Sequence, residues 1–362
     1  MTHSVFKKEI PGIHVLRLLA ALSIILIHVT SGQAGQGQGA FWWNQFARYA
    51  SFSFVVISGY VLALSQLRRP VSWRYFYERR FTRVLIPYIT WSMIYILYQY
   101  RGEWMGLNFD SIIRLFIDVL PQALWTGTAF VHLYFVLVVV QLYFFFPFIF
   151  RLSKSHPSYI LVLSFLISIG MDMLIEWHAR GWIVLPSLGI AYTTLFPAWL
   201  FAFVLGVHMA IYTERWHVFL GHPIYSRLLF ILWPWMFAWL VVDSMLYETH
   251  AISVKTSALF YGLISFLVLY RLLVVTGNKN TWWDRLTRHP LWVKGASRSF
   301  LIYLVHPLVL NATVRGSVKL EIPQIFYGWG LVLLYSLTVS GTFLLILIIE
   351  RLPFSRWLGG KR

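Results

Sequence analysis

Apolar runs of about 20 residues, enough to cross a bilayer as a helix, recur along the chain between short polar segments that carry most of its charge. They predict ten spans: Gly12–Ser31, Phe46–Leu67, Val84–Tyr100, Phe130–Phe150, Tyr159–Ile175, Tyr192–Tyr212, Leu228–Tyr247, Ile252–Val275, Ser297–Ala312 and Phe326–Ile349. The stretch Ile112–Trp125 is apolar but short and carries Arg114 and Asp118. It predicts an interfacial or re-entrant helix and not an eleventh span. The run from Ile13 to Val29 lacks a small-residue cleavage pattern and contains Arg17, so it reads as a retained helix and not as a signal peptide. A flexible loop is expected over the Gly/Gln-rich stretch Gly32–Gly39. No hydrophilic domain interrupts the runs, and no strong internal repeat is visible. The expected fold is all-α, a polytopic membrane helix bundle forming one domain over residues 1–362.

With both termini cytoplasmic, the inner side holds 23 of the 30 lysines and arginines, including Lys7, Lys8, Arg68, Arg69, Arg285, Arg288 and Lys361. The outer side holds seven: Arg48, Arg101, Arg114, Arg180, Lys255, Arg315 and Lys319. Basic residues accumulate on the cytoplasmic side of membrane proteins, so this orientation is preferred over its inverse. In it, Asp110, Asp172, Glu176, Asp243 and Glu248 fall at or beyond outer helix ends.

Composition narrows the class. Charged residues make up 12% of the chain, against about 25% in soluble domains, so the bundle sits in a lipid bilayer. The net charge of +17 follows from basic loops and not from a basic stripe on a polar domain, which argues against nucleic-acid binding. The absence of cysteine excludes disulfides, thiolate metal sites and a cysteine nucleophile.

Chemistry is most legible in the first span, HVLRLLAALSIILIHV, where Arg17 and His28 are eleven residues apart. Eleven residues rise about 16 Å along a helix and close about three turns, so both side chains share a face. Intramembrane ionisable groups face the protein interior and mark functional paths. A neutral imidazole there is competent as a general base or a nucleophile. Arg79, Arg80 and Arg83 precede the third span with spacings that bring guanidinium groups together, either as a basic topology flank or as an anion clamp. Ser58 and Gly59, followed by Tyr60, would let a helix or a substrate approach the backbone of the second span. Tyr303 and His306 share a face ahead of Pro307, and His132 opens the fourth span. His208, with no aligned partner, reads as a satisfied core residue. No metal-ligand spacing, Gly-x-Ser-x-Gly elbow, Walker loop or dinucleotide fingerprint is present.

These residues together resemble the acyltransferase 3 family of integral membrane enzymes. The resemblance is carried by Arg17 with His28, Val55–Tyr60, Arg80 with Arg83, His132-Leu133-Tyr134-Phe135, and Tyr303-Leu304-Val305-His306, which extend over nearly the whole chain. The family's usual Phe-Phe-x-x-Ser-Gly-Phe reads Phe54-Val55-Val56-Ile57-Ser58-Gly59-Tyr60 here, and Tyr134 stands where Trp is common. The resemblance implies about ten spans, cytoplasmic acyl-coenzyme A (usually acetyl-coenzyme A) as donor, no metal, and a need for the Arg17/His28 pair and the Arg80/Arg83 motif. Some relatives carry a fused extracytoplasmic esterase-like domain that this sequence lacks.

The expected activity is O-acetyl transfer to a hydroxyl of a cell-surface glycan or glycolipid, in a bacterial cytoplasmic membrane. His28 and Arg17 would be catalytic, and Arg79, Arg80 and Arg83 would bind the donor. Ser58, Gly59, Tyr60, His132, Tyr303 and His306 would line the substrate pocket. Whether His28 acts as base or nucleophile, and whether a second copy or a separate extracytoplasmic partner takes part, stay open. The rival reading is a polysaccharide exporter or flippase that makes no bond. It calls for acidic coupling sites in mid-membrane, which the predicted spans do not show.

Overall fold

The computed structural model describes residues 11–35, 38–104, 109–276, 285, 287–322 and 328–360. Among these the chain is all-helical, a polytopic membrane bundle. Lys7, Lys8, Lys361, the middle of the Gly32–Gly39 loop and the start of the predicted last span lie outside the described residues.

The helices run in order α1 (Pro11–Ser31), α2 (Gln38–Ala47), α3 (Tyr49–Arg68), α4 (Trp73–Gln99), α5 (Arg101–Trp104), α6 (Phe109–Thr126), α7 (Tyr134–Ser155) and α8 (Pro157–Ala179). They continue with α9 (Leu200–Ile211), α10 (Thr213–Gly221), α11 (Pro223–Leu246), α12 (Thr256–Tyr270), α13 (Pro290–Ser297), α14 (Ser299–Lys319) and α15 (Trp329–Arg351). Proline opens α8, α11 and α13, where its missing N–H costs nothing. The Ser72 hydroxyl caps α4 by accepting from the Tyr75 amide.

Among the described residues eight helical stretches are long and apolar enough to cross a membrane, and nine if the pair Phe196–Ile211 and Thr213–Gly221, bent by 97°, counts as one. α4 falls outside that set because its first half is charged, yet its 27 residues extend about 40 Å. Several boundaries differ from the sequence reading. The segment Tyr192–Tyr212 is a 12-residue helix approached through two 3₁₀ turns, Tyr192–Thr194 and Phe196–Trp199, with Pro197 breaking any longer run. Residues 252–255 are loop, so the predicted eighth span begins at Thr256 and ends in a π-helical turn, Arg271–Val275. α8 continues to Ala179, which places Asp172 and Glu176 inside the helix, both buried, and not at or beyond its end.

α1 lies between two packed cores. One joins its first half to α3, α7, α9 and α12, and the other joins its second half to α4, α14 and α15. In α1, α2–α3 and α12, 61% of the apolar window is buried, against 28% in α8, α11 and α15. The first set therefore forms the interior, and the second presents apolar side chains outward as a lipid-facing ring. Close crossing of α3 and α9 depends on glycine. A Cβ on Gly59 would collide with the Phe203 carbonyl, and one on Gly206 with the Val56 carbonyl.

Candidate active site

α1 carries Arg17 and His28 into different halves of the bundle. His28, one turn before the end of α1, lines a cavity of about 190 Å³ at the end where α1 finishes and α3, α7 and α12 begin. The turn before α7 supplies His132, whose backbone carbonyl accepts a hydrogen bond from the Tyr303 hydroxyl of α14. Tyr303 and His132 both line the cavity. One turn along α14, His306 is fully buried. The three imidazoles converge: ring centroids are 5.1 Å apart for His28–His306, 5.6 Å for His132–His306 and 6.4 Å for His28–His132. Tyr95 of α4 supports the group. Its ring lies 5.2 Å from His132 and 4.3 Å from Phe130, and its hydroxyl donates to the Leu304 carbonyl at 2.7 Å.

Hydrogen bonding distinguishes the three rings. His306 Nδ1 lies 3.1 Å from the Ile302 carbonyl, so a neutral ring carries its proton there and presents Nε2 as an acceptor. That Nε2 is buried without a partner, as are both ring nitrogens of His132. Buried polar atoms are rarely left unpaired, and where they are, a functional ligand is one explanation. Among the described residues no group of three or more His, Cys, Asp or Glu side chains is arranged to hold a metal ion. The triple offers hydrogen-bonding and acid–base chemistry.

A second group at the same end escaped the sequence reading. Arg48, at the α2–α3 junction and 6% exposed, donates to Asn44 Oδ1 at 3.1 and 2.8 Å, to the Ala251 carbonyl at 3.2 Å, and to Ser253 and the His250 carbonyl. Asn44 passes the connection to Gln45, Gln45 to Ser244, and Ser244 to the Lys255 ammonium at 2.8 Å. Lys255 pairs with Asp243 at 2.9 Å, and Arg180 bridges Asp243 and Glu176. Burial pushes the Lys255 ammonium below its ordinary pKa, against the hydrogen bond and charge of Asp243. The signal available in the sequence was the polar set Asn44, Gln45 and Arg48 at helical spacing in an otherwise apolar run.

The other half of α1 carries Arg17. It is an electrostatic neighbour of Arg80 on α4 and of Tyr143 on α7, and the Tyr143 hydroxyl lies 3.0 Å from Ser58 Oγ. Arg80 is half-buried beside Arg79 and Arg83, both exposed. Gly59 and Tyr60 stand apart from both groups. Gly59 is spent on the α3–α9 crossing, and Tyr60 is buried with its ring 6.3 Å from that of Tyr270. His208 accepts a hydrogen bond from Trp216 Nε1 at 3.0 Å, in line with a core role.

The arrangement thus joins a group of cations and an imidazole cluster through one helix. Residues 10–351 match the acyltransferase 3 profile, described as an acyltransferase domain. The chain belongs to that family. It is a multi-pass membrane acyltransferase, and neither a curated protein nor a solved structure matches it. In this acyltransferase Arg17 and His28 thus lie toward the two ends of α1, the first an electrostatic neighbour of Arg80 and the second beside His132 and His306.

Proposed function

We propose that the acyltransferase moves an acyl group, acetyl being the expected one, from cytoplasmic acyl-coenzyme A to a hydroxyl of a cell-surface polysaccharide or glycolipid, in the bacterial cytoplasmic membrane. The observation that carries this reading is the polarity of α1: Arg17 among cations toward one end, and His28 on the wall of a cavity toward the other.

On this reading the donor enters from the cytoplasmic side. Coenzyme A is a polyanion, and Arg80 and Arg83, with Arg79, offer planar guanidinium forks for its phosphates. Its pantetheine arm follows α1 past Arg17 and Ser58, over the roughly 16 Å that eleven helical residues span. The acceptor occupies the cavity at the other end, with one hydroxyl at His28. In the general-base route, the hydroxyl proton passes to His28 as the oxygen bonds the acyl carbon. The carbon–sulfur bond breaks, and His28 returns the proton to the departing thiolate. In the nucleophilic route, His28 carries the acyl group between two such steps. Both routes need the imidazole held in one tautomer. His306 is the candidate for that role, because its ring lies 5.1 Å from that of His28 and its Nε2 is a buried acceptor still without a partner.

The reading is tested with purified protein and labelled acetyl-coenzyme A, alongside mass spectrometry of envelope glycans from cells with and without the gene. Label transferred to glycan hydroxyls, with the matching acetyl groups missing from the deletion strain, supports it. Unchanged glycans together with no consumption of the thioester would overturn it.

A further inference from the structure

A guanidinium taken out of water costs several kcal/mol unless other groups replace its solvation, and its field is then only weakly screened. Arg48 meets half of that requirement. Its N–H groups are all directed at neutral acceptors: Asn44 Oδ1, the carbonyls of His250 and Ala251, and Ser253 Oγ. No ion pair reaches it among the described residues. The nearby carboxylates Asp243 and Glu176 are committed to Lys255 and Arg180. The hydrogen bonds therefore hold the cation in place and leave its charge uncancelled. Arg48 lines the cavity that holds His28, and among the described residues no Asp or Glu lines that cavity. Its wall thus carries a fixed positive potential, which raises the local concentration of anions without any of its hydrogen bonds being given up.

The remaining walls suit one sugar ring. Phe54, Phe135 and Tyr303 supply apolar faces, and Ser51 supplies a hydroxyl. At about 190 Å³ the space falls below the roughly 300–1,000 Å³ of drug-sized sites. We propose that this cavity selects acceptor sugars bearing an anionic group, a carboxylate or a phosphate, and that Arg48 sets the preference while His28 faces the hydroxyl to be acylated. The proposal rests on the acyl-transfer reading given above and adds the charge class of its acceptor.

Four methyl glucosides separate the terms: the 6-carboxylate (methyl glucuronide), the 6-phosphate, the neutral parent and the 6-amino derivative. With labelled acetyl-coenzyme A, kcat/KM is expected to be at least tenfold higher for the carboxylate, the phosphate or both than for the neutral sugar, and lowest for the amine. The two anionic arms tell a uronate-type acceptor from a phosphate-bearing one. Arg48→Gln should reduce the preference to near unity, whereas Arg48→Lys should retain most of it, and this second variant covers the case in which Arg48→Gln fails to fold. Saturation-transfer NMR of the same sugars without donor gives a readout independent of chemistry. Selective saturation of an anionic sugar with no acetyl transfer to any acceptor would support the charge preference while overturning the acyl-transfer reading. Equal behaviour of anionic and neutral sugars in wild-type protein by both readouts overturns the inference, as does an undiminished preference in folded Arg48→Gln.

Discussion

The two ends of α1 handle charge in opposite ways. At the end that holds His28 the cations are buried or half-buried and hydrogen-bonded: Arg48 to neutral acceptors, Arg180 and Lys255 to Asp243 and Glu176. Around Arg17 the cations of α4 are left available. Arg79 and Arg83 are exposed, Arg80 is half-buried, and none of the three has a carboxylate partner among the described residues. The difference follows from solvation. A desolvated cation must have its partners built into the fold, whereas an exposed one costs little while it waits for an anion. One end is therefore organised within the fold itself, and on the proposed reading the other is completed by a diffusing polyanion.

The sharpest way to break this contrast is at His28. In His28→Gln the side chain keeps a hydrogen-bonding group and most of its volume but accepts no proton at neutral pH. Acyl transfer should fall by about 10²–10⁴-fold in kcat, the range for losing a positioned general base, with coenzyme A affinity and thermal stability near wild type. His28→Ala should be equally inactive. A histidine that only packs would show the reverse, Gln tolerated and Ala destabilised, and a fully active His28→Gln would remove the catalytic assignment.

A second test asks whether the organised end is held by its ion network. Asp243→Asn removes the charge that Arg180 and Lys255 share while preserving shape, and leaves Lys255, 0% exposed, with hydroxyl and carbonyl partners alone. Breaking a buried pair from one side typically costs about 3–5 kcal/mol. The thermal midpoint in detergent should drop by several degrees, and the loss should exceed that of any single arginine change on α4. A midpoint within a degree of wild type would mean that the network is dispensable to the fold.

How far the sequence anticipates this picture depends on locality. α7, α8 and α15 match their predicted spans to within a few residues, because a long apolar run has no other stable state in lipid. α4 starts eleven residues before its predicted span, since Ser72 caps it and arginines are good helix formers that an apolar count discards. The convergence of His28, His132, Tyr303 and His306 joins residues from three distant segments, each individually conspicuous as a polar group in an apolar run. Arg48, Lys255 and Tyr143 were not conspicuous. Arg48 and Lys255 look like ordinary loop-flanking cations until the fold brings residues 250–255 over the start of α3, about 200 positions away in sequence. Tyr143 is one aromatic among many until the fold sets its hydroxyl 3.0 Å from Ser58 Oγ. Pairing across such distances leaves no periodic trace along the chain.

The smallest effects are expected at the uncommitted end, and they separate a ligand clamp from a topology signal. Arg80→Ala should weaken coenzyme A binding about 10-fold or more, because a charge-assisted hydrogen bond to phosphate is worth about 1.5–3 kcal/mol. Arg80→Lys should recover only part of this, a point charge replacing a bidentate fork. Arg83→Ala should cost less, and its effect should shrink further at high salt, because an exposed cation is screened where a half-buried one is not. Glu78→Gln is the control. It breaks the Arg74–Glu78 pair at 3.0 Å, whose side chains are 91% and 60% exposed, and should leave both affinity and stability within about 0.5 kcal/mol of wild type. Calorimetric titration of the four variants with coenzyme A decides the matter. Unchanged affinity in both alanine variants would reduce Arg80 and Arg83 to positive-inside markers, and the end of α1 that holds Arg17 would then have no donor site.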